Sequence, residues 1–547
     1  MLNRNLVAAL FIFLTFAMGV AFNPPLARAA GPPYSWTGPT DIDSHLGQDN
    51  LPTAVQASNG TLWLAWQTFR FNNARPDIIY NTLTNSVWGS LGRITSTGYN
   101  TSPALAQLRN GTIMLFWSQL QTAAFNIYYE RFSVNQFGVG AWSSSVHLTT
   151  PTTFNDTAPA ATVGVDGTLW LFWQRTNQSC TSSCSQTKQL YYKTLKNGSW
   201  SSAETKITTD ANWNTLPSAV VTKDKLVRLG WSKGGQGNGA SSIYYKTFNG
   251  TIWSAETQIV SPPSGYGDQR PSMLQDRNGT IWLFWARTSL TVPVFVIYSK
   301  FSTNNGQTWS AESQMTNEAS DIDSQQPVAV QGNSSNDKMM HLFYSSDRTN
   351  NDYDIWTLTS PSISPIHDIG LTFVSPSISL FYAGGLASIG QSSNTTVAVT
   401  VVDYGDFAEN VQATVTVSNV TSTNLGSQTK TVGIGASVSF TFSWNTTNAK
   451  PARYNLTVNA VPTTSSETLG NLGDNSVSVK NSIHLLPWGD IDQNGGVALG
   501  DVSVFFFDFG FTPATPSRWT PFADINNNGI IDIIDVGVAV HNFGINT

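Results

Sequence analysis

Six times along this chain a run of aliphatic and aromatic residues follows a tight turn and ends in Trp or Tyr. Four copies are close: Asn59-Gly60-Thr61-Leu62-Trp63-Leu64-Ala65-Trp66, Asn110 to Trp117, Asp166 to Trp173 and Asn278 to Trp285. Two looser copies end at Trp231 and Tyr344, and successive terminal aromatics lie 51, 56, 58, 54 and 59 residues apart. A unit of that size, built of strands and Gly turns, cannot bury its apolar face alone; stacking copies around an axis does so. The period predicts a mainly β chain with a six-bladed β-propeller over residues 34–360, its repeated aromatics forming core. Any activity then belongs to the irregular loops.

Each repeat opens at a Pro (Pro52, Pro103, Pro159, Pro217, Pro271, Pro327) and continues through a short inner strand to the Asn-Gly or Asp-Gly turn. These turn residues tolerate positive φ and are read as a two-residue hairpin. A third strand carries Ile-Tyr or Leu-Tyr, and an outer strand follows Trp88, Trp142, Trp200, Trp253 or Trp309. The sixth repeat lacks that outer strand, whereas Tyr34 to Ile42 matches the segment Gly198 to Ile207. The N-terminal segment 34–42 is therefore expected to complete blade six and close the ring, leaving no open sheet edge.

Ser302-Thr303-Asn304-Asn305-Gly306-Gln307-Thr308-Trp309 resembles the Asp-box of sialidase-like propellers, with Asn304 at the Asp position. That resemblance implies an arginine clamp for a carboxylate, for which Arg175, Arg287 and Arg348 are the candidates. It also implies a Tyr nucleophile with a Glu partner and an acid Asp. On the residues alone, the loops after the aromatic strand carry Gln67, Arg70, Gln119, Gln174, Lys233, Asp347 and Arg348, and those before the inner strand carry Asp41, Asp43, His45, Asp49, Asp156, Asp210, Asp268, Arg270, Asp321 and Asp323. Forked donors, carboxylates and exposed rings suit a sugar; solvated loop charges are the alternative for each. Asp43 and Asp347 join the three arginines as ligand-face candidates.

Charged residues make up 11% of the 547, and the formal net charge of −6 argues against nucleic acid or an anionic membrane as partner, since either needs a basic face. Arg4, the apolar run Leu6 to Phe22 and Ala27-Arg28-Ala29 read as an export signal over 1–29, with an uncleaved anchor as the alternative. Nothing later is apolar for long enough to span a membrane, so a secreted or surface-associated protein is expected. The two cysteines, Cys180 and Cys184, share one loop and are read as a local disulfide. The Asn-Gly-Thr turns and Asn394 and Asn455 are also glycosylation sequons.

Residues 366–483 change character. Val411 to Val417 and Val438 to Trp444 alternate apolar and polar residues at strand period, and about seven such strands predict a β-sandwich. Gly405, Trp444, Tyr454 to Val458 and Asp474-Asn475 resemble the CARDB module, an immunoglobulin-like domain of prokaryotic surface proteins. The resemblance implies a spacer.

Residues 486–547 predict a small α-helical, calcium-binding unit. Asp490, Asp492, Asn494 and Asp501 stand at positions 1, 3, 5 and 12 of one loop; Asp524, Asn526, Asn528, Asp532 and Asp535 stand at 1, 3, 5, 9 and 12 of a second, 34 residues on. With the carbonyls of Gly496 and Ile530 at position 7 and Gly at position 6, this spacing wraps hard oxygen ligands around Ca²⁺. Two sites are expected, the first one side chain short because Ala498 holds position 9. Each loop precedes a helical segment, and the duplicated half-EF-hand over Trp488 to Gly544 resembles a type I dockerin. That family implies a cohesin-like partner on a scaffold or cell surface, met through loop positions 10 and 11, here Leu499-Gly500 and Ile533-Ile534.

Two functions stay open. In one, the propeller is a glycoside hydrolase (sialidase-like) or polysaccharide lyase acting on polysaccharide or glycoprotein glycans, tethered by the dockerin-like unit. In the other, it is a non-catalytic glycan-binding, adhesion or structural surface protein.

Overall fold

The computed structural model describes residues 34–43, 45, 47–121, 124–134, 139–149, 154–164, 166–177, 187–234, 240–292, 294–317, 322–333, 337–349, 352–362, 366–377, 381–383, 386–390, 394–467, 471–492, 494–514, 523–525 and 529–545. The segment expected as an export signal (1–29), Cys180 and Cys184 with their expected disulfide, Asp321, Asn526 and Asn528 lie outside them.

Six antiparallel sheets are built from the repeats, each ordered inner strand, aromatic strand, third strand, outer strand. The inner strands are Asp49–Gln56, Asn100–Gln107, Phe154–Val163, Trp213–Val221, Tyr266–Gln275 and Ser324–Gln331. Each touches the next and the last touches the first, so the sheets close as a six-bladed ring. The same three residues of every inner strand, such as Pro52-Thr53-Ala54 and Pro271-Ser272-Met273, line an axial cavity of about 200 Å³. The short strand Thr37–Asp41 pairs with Asp352–Thr359 and supplies the outer edge of the sixth sheet. Both faces of each blade meet a neighbouring blade, so the aromatic strands are apolar on both faces; all seven residues of Leu62–Thr68 are buried. Trp66, Trp117, Trp173, Trp231, Trp285 and Tyr344 are at most 1% exposed.

Two backbone devices repeat around the ring. The Asn-Gly turns are three-residue loops with a bulge rather than the expected two-residue hairpins: Gly60 N–H donates to Ala57 O (3.0 Å), Ala57 N–H donates to Thr61 O (2.8 Å), and of the turn pair only Gly60 has positive φ (86°). Asn59 stays at negative φ because its side chain accepts from Thr61 N–H (3.1 Å). The two-residue form occurs instead at the outer hairpins Asn85-Ser86, Asn197-Gly198 and Asn305-Gly306, where both residues have positive φ. The second device is a register shift in each inner strand at its Pro. Pro cannot donate to the ladder and is accommodated at bulges. The residue before it (Leu51, Ser102, Ala158, Leu216, Arg270, Gln326) has φ between 51° and 59°.

A three-stranded sheet (Ile369–Ser377, Asn394–Asp403, Ser437–Asn445) and a six-stranded sheet share one core. Alternate residues Val411, Ala413, Val415 and Val417 from one and Val397, Val399 and Val401 from the other meet there. This unit covers the turn end of blades four to six. Lys223 Nζ is held by Asp368 and Asn471, Arg277 and Lys338 both reach Asp406, and a Cβ at Gly473 would lie 2.6 Å from the Asp224 backbone nitrogen.

Two short helices, α1 (Leu499–Asp508) and α2 (Ile533–His541), close the chain. Their halves are related by an internal two-fold, exchanging backbone bonds at the repeat spacing. Gly510 N–H donates to Ile531 O (2.7 Å) as Gly544 N–H donates to Val497 O (2.8 Å); Ile531 N–H meets Phe511 O as Val497 N–H meets Ile545 O. Ile491, Val497, Phe505, Ile531 and Ala539 form a small shared core.

Candidate functional site

With the turn end of blades four to six covered, the opposite end of the ring carries the loops that the sequence singles out. A common frame underlies them. The residue three positions before the Pro of each inner strand (Asp49, Asn100, Asp156, Asn214, Asp268, Ser324) is buried, and in blades two, four and five it accepts the indole N–H of the terminal Trp: Trp117 on Asn100 (3.1 Å), Trp231 on Asn214 (2.7 Å), Trp285 on Asp268 (2.9 Å). A cation two residues beyond the Trp then completes the frame. Arg175 forks onto Asp156 (2.6 and 2.7 Å) and reaches Glu204 (2.7 Å); Arg287 forks onto Asp268 (2.7 and 2.9 Å) and reaches Glu312 (2.8 Å). Lys233 bridges Asp210 (3.1 Å) and Glu256. These cations lie over third-strand tyrosines: Arg175 over Tyr191 (4.7 Å), Lys233 over Tyr244 (4.9 Å), Arg287 over Tyr298 (4.5 Å).

Arg175 and Arg287, two of the three clamp candidates, thus stand in different blades, each closed by two carboxylates. Burial works against their charge, but the hydrogen bonds and field of their carboxylates hold both guanidiniums above the usual range. Arg348, the third, donates to Tyr344 Oη (3.1 Å) and lies over Trp356 (4.5 Å) in blade six. The glutamates Glu204, Glu256 and Glu312 lie outside the loops that the sequence singles out. The signal was available: each ends a Ser-Ala-Glu triplet shortly after the outer-strand Trp.

The frame is repeated; the seams from blade five through six to one are not. At the five–six seam, Arg270 donates from Nη1 to Gln325 Oε1 (2.5 Å) and lies over Phe295 (5.4 Å). Beside it Asp323 accepts from Tyr353 Oη (2.6 Å) and from Phe295 N–H (3.0 Å), while Asp347 accepts from Asp323 N–H (2.7 Å). At the six–one seam, Arg70 Nη2 holds both Asp43 (2.5 Å) and Asp49. Asp354, 3% exposed, adds a further carboxyl; burial first, then the field of Asp41, pushes its pKa up to about 7. Burial likewise lifts Asp49 to about 6 against the pull of Thr68 and Arg70. Tyr353 and Asp354 open a third strand, and sequence periodicity absorbed them into it.

The C-terminal loops form a second candidate centre. Asp490, Asp492 and Asp501 bring one oxygen each within 4.8 Å of one another. Asp501 is buried and oriented by backbone donors: Oδ1 accepts from Ile491 N–H (2.6 Å) and Asp492 N–H (2.9 Å), Oδ2 from Ala498 N–H (2.8 Å). Gly495 N–H donates to Asp490 Oδ2 (2.9 Å), and Gly529 N–H repeats this on Asp524 (2.8 Å). Asp532 caps α2 through Ile534 N–H (2.8 Å), and Asp535 accepts from Asp532 N–H (2.8 Å). Converging carboxylates of this kind fit a hard divalent cation.

No protein-family model matches the chain, and no curated protein matches it. Among solved structures it is similar to a protein of unknown function from Dyadobacter fermentans (14% identity, 60% of this chain and 99% of that one, TM-score 0.47). It is also similar to the α-L-arabinofuranosidase Arb93A of Fusarium graminearum (13%, 59% and 97%, TM-score 0.42) and to the Trypanosoma rangeli sialidase (8%, 80% and 90%, TM-score 0.41). Likeness at this level carries no argument about chemistry. No helix among the described residues is long and apolar enough to cross a membrane.

Proposed function

We propose that this is a secreted carbohydrate-active protein whose propeller hydrolyses a glycan at its open end, tethered through a calcium-organised C-terminal unit. The observation that carries the catalytic reading is the carboxyl set of the six–one seam. Asp354 is held near neutrality while Asp43 and Asp49 share a guanidinium. A carboxyl kept protonated by burial, beside a carboxylate paired with a guanidinium, can serve as the acid and the base of glycoside hydrolysis. Asp354 gives its proton to the glycosidic oxygen as that bond breaks. Asp43, fixed by Arg70, takes a proton from the water that adds to the anomeric carbon.

Activity then requires protonated Asp354 and falls as pH rises through about 7. Reducing-sugar release from a polysaccharide panel, measured from pH 5 to 9, tests this. Asp354→Asn should abolish turnover, by roughly a hundredfold or more, and leave glycan retention intact. Turnover unchanged in that variant sinks the assignment. A second reading, glycan binding without catalysis, draws on the burial of Asp354 and on the closed arginines; retention on a glycan array with no release in the wild type would select it.

For the C-terminal unit we read calcium held by Asp490, Asp492, Asn494, the Gly496 carbonyl and Asp501, and by Asp524, Asn526, Asn528, the Ile530 carbonyl, Asp532 and Asp535. Calcium supplies the charge that balances these carboxylates and orders the loops. The dockerin-like arrangement, with Leu499, Phe506, Ile533 and Ile534 exposed, supports an apolar docking face for a cohesin-like domain. Calcium titration by calorimetry, and loss of protease protection of 486–547 in chelator, check this; no heat and no change in cleavage would overturn it.

A further inference from the structure

We propose that Arg270 seats an anionic group, a carboxylate or sulfate, on the glycan taken by the open end. This rests on the glycan reading of that end and names the substrate class it prefers. Arg70, Arg175 and Arg287 each touch two carboxylates. Arg270 touches none: among the described residues no carboxylate lies within the 4.0 Å of an ion pair. Its Nη1 is spent on the neutral amide of Gln325, and its Nε is buried without a hydrogen bond. Asp323 is near enough to be felt, but its oxygens are engaged by Tyr353 Oη and Phe295 N–H. Burial pushes the guanidinium below its usual range, so this charge is retained at a cost. A charge buried without a partner is destabilising until one arrives.

Position supports the same conclusion. Arg270 is one of six residues at equivalent bulges, each next to a Pro lining the axial cavity. The others are Leu51, Ser102, Ala158, Leu216 and Gln326, so it is the single cation of that ring. Its backbone, at φ 57°, is that of the other five, so the charge is what sets it apart. A buried charge without an ion-pair partner is what a binding position retains and a purely structural one loses.

The test uses the full chain. Binding of glucuronate-containing oligosaccharides, their neutral counterparts, acetate and sulfate is measured by calorimetry for wild type, Arg270→Gln, Arg270→Lys and Arg270→Gly. The charged glycan should bind at least tenfold more tightly than the neutral one. Arg270→Gln should erase that preference and Arg270→Lys retain part of it. Arg270→Gly should lose the preference while melting no lower than wild type, because Gly relieves the backbone. Equal binding of charged and neutral glycans, unaffected by Arg270→Gln, overturns the anion seat and leaves the glycan reading standing. Sulfate or acetate binding lost in Arg270→Gln, with no sugar bound, supports the seat and overturns the glycan reading. No binding of any probe overturns both.

Discussion

At the residue scale, the open end separates side chains that hold the fold from side chains that have chemistry left over. Arg287 looks like a ligand arginine in sequence, yet its guanidinium is the counterion of Asp268, whose carboxylate is buried and also accepts the Trp285 indole. Removing one partner of such a pair strands the other. Arg287→Ala is therefore expected to lower stability by about 3–5 kcal/mol, read by chemical denaturation. A well-folded variant that loses only glycan binding would contradict the structural role. Asp354 and Arg270 differ because, among the described residues, neither makes an ion pair.

At the scale of elements, the Asn-Gly-Thr turn shows how much one motif conveys. Its Gly was legible because only one residue of the loop must take positive φ. The loop length was not legible, because Asn59 bonding to Thr61 N–H selects the bulged form over the two-residue form. Blade four makes the point by exception: Lys225 occupies the Gly position at φ 66°, with the same pair of turn hydrogen bonds as its Gly-containing counterparts. Lys225→Gly should stabilise the propeller by about 1 kcal/mol, visible as a higher melting temperature; a lower one would mean that its contact with Ser476 O outweighs the strain.

At the scale of the molecule, the second unit is more than a spacer on a string. Asp474 lies beside Lys223 and Lys225 of the turn end and is pushed up to about 7, and Glu467, bonded within the second unit, to about 8, in both cases mainly by burial. Lys223, Lys225 and Asp368 act on Asp474, while Asp368 and Asp474 act on Glu467, which accepts from Asn475 Nδ2 and Ile369 N–H (both 3.0 Å). The folded state binds more protons than the unfolded one, so stability falls as pH rises from the ordinary carboxylate range through about 7 to 8. Melting temperatures should drop between pH 5 and 9, and Glu467→Gln with Asp474→Asn should flatten that slope. A slope unchanged in the double variant would place the titrating groups elsewhere.

The sequence by itself determined the periodic parts: strand order within a blade, the aromatic core, the strand alternation of 411–417, and the oxygen spacing of the C-terminal loops. Those depend on local backbone geometry and on burial, both of which repeat along the chain. Only the tertiary structure decided which charges are spent. Asp156, Arg175 and Glu204 are distant in sequence and meet only when the blade folds. Arg270 is exceptional only when set beside the five residues at equivalent bulges around the ring. Electrostatic compensation acts across space rather than along the chain, so a list of loop arginines could not separate Arg175 and Arg287 from Arg270.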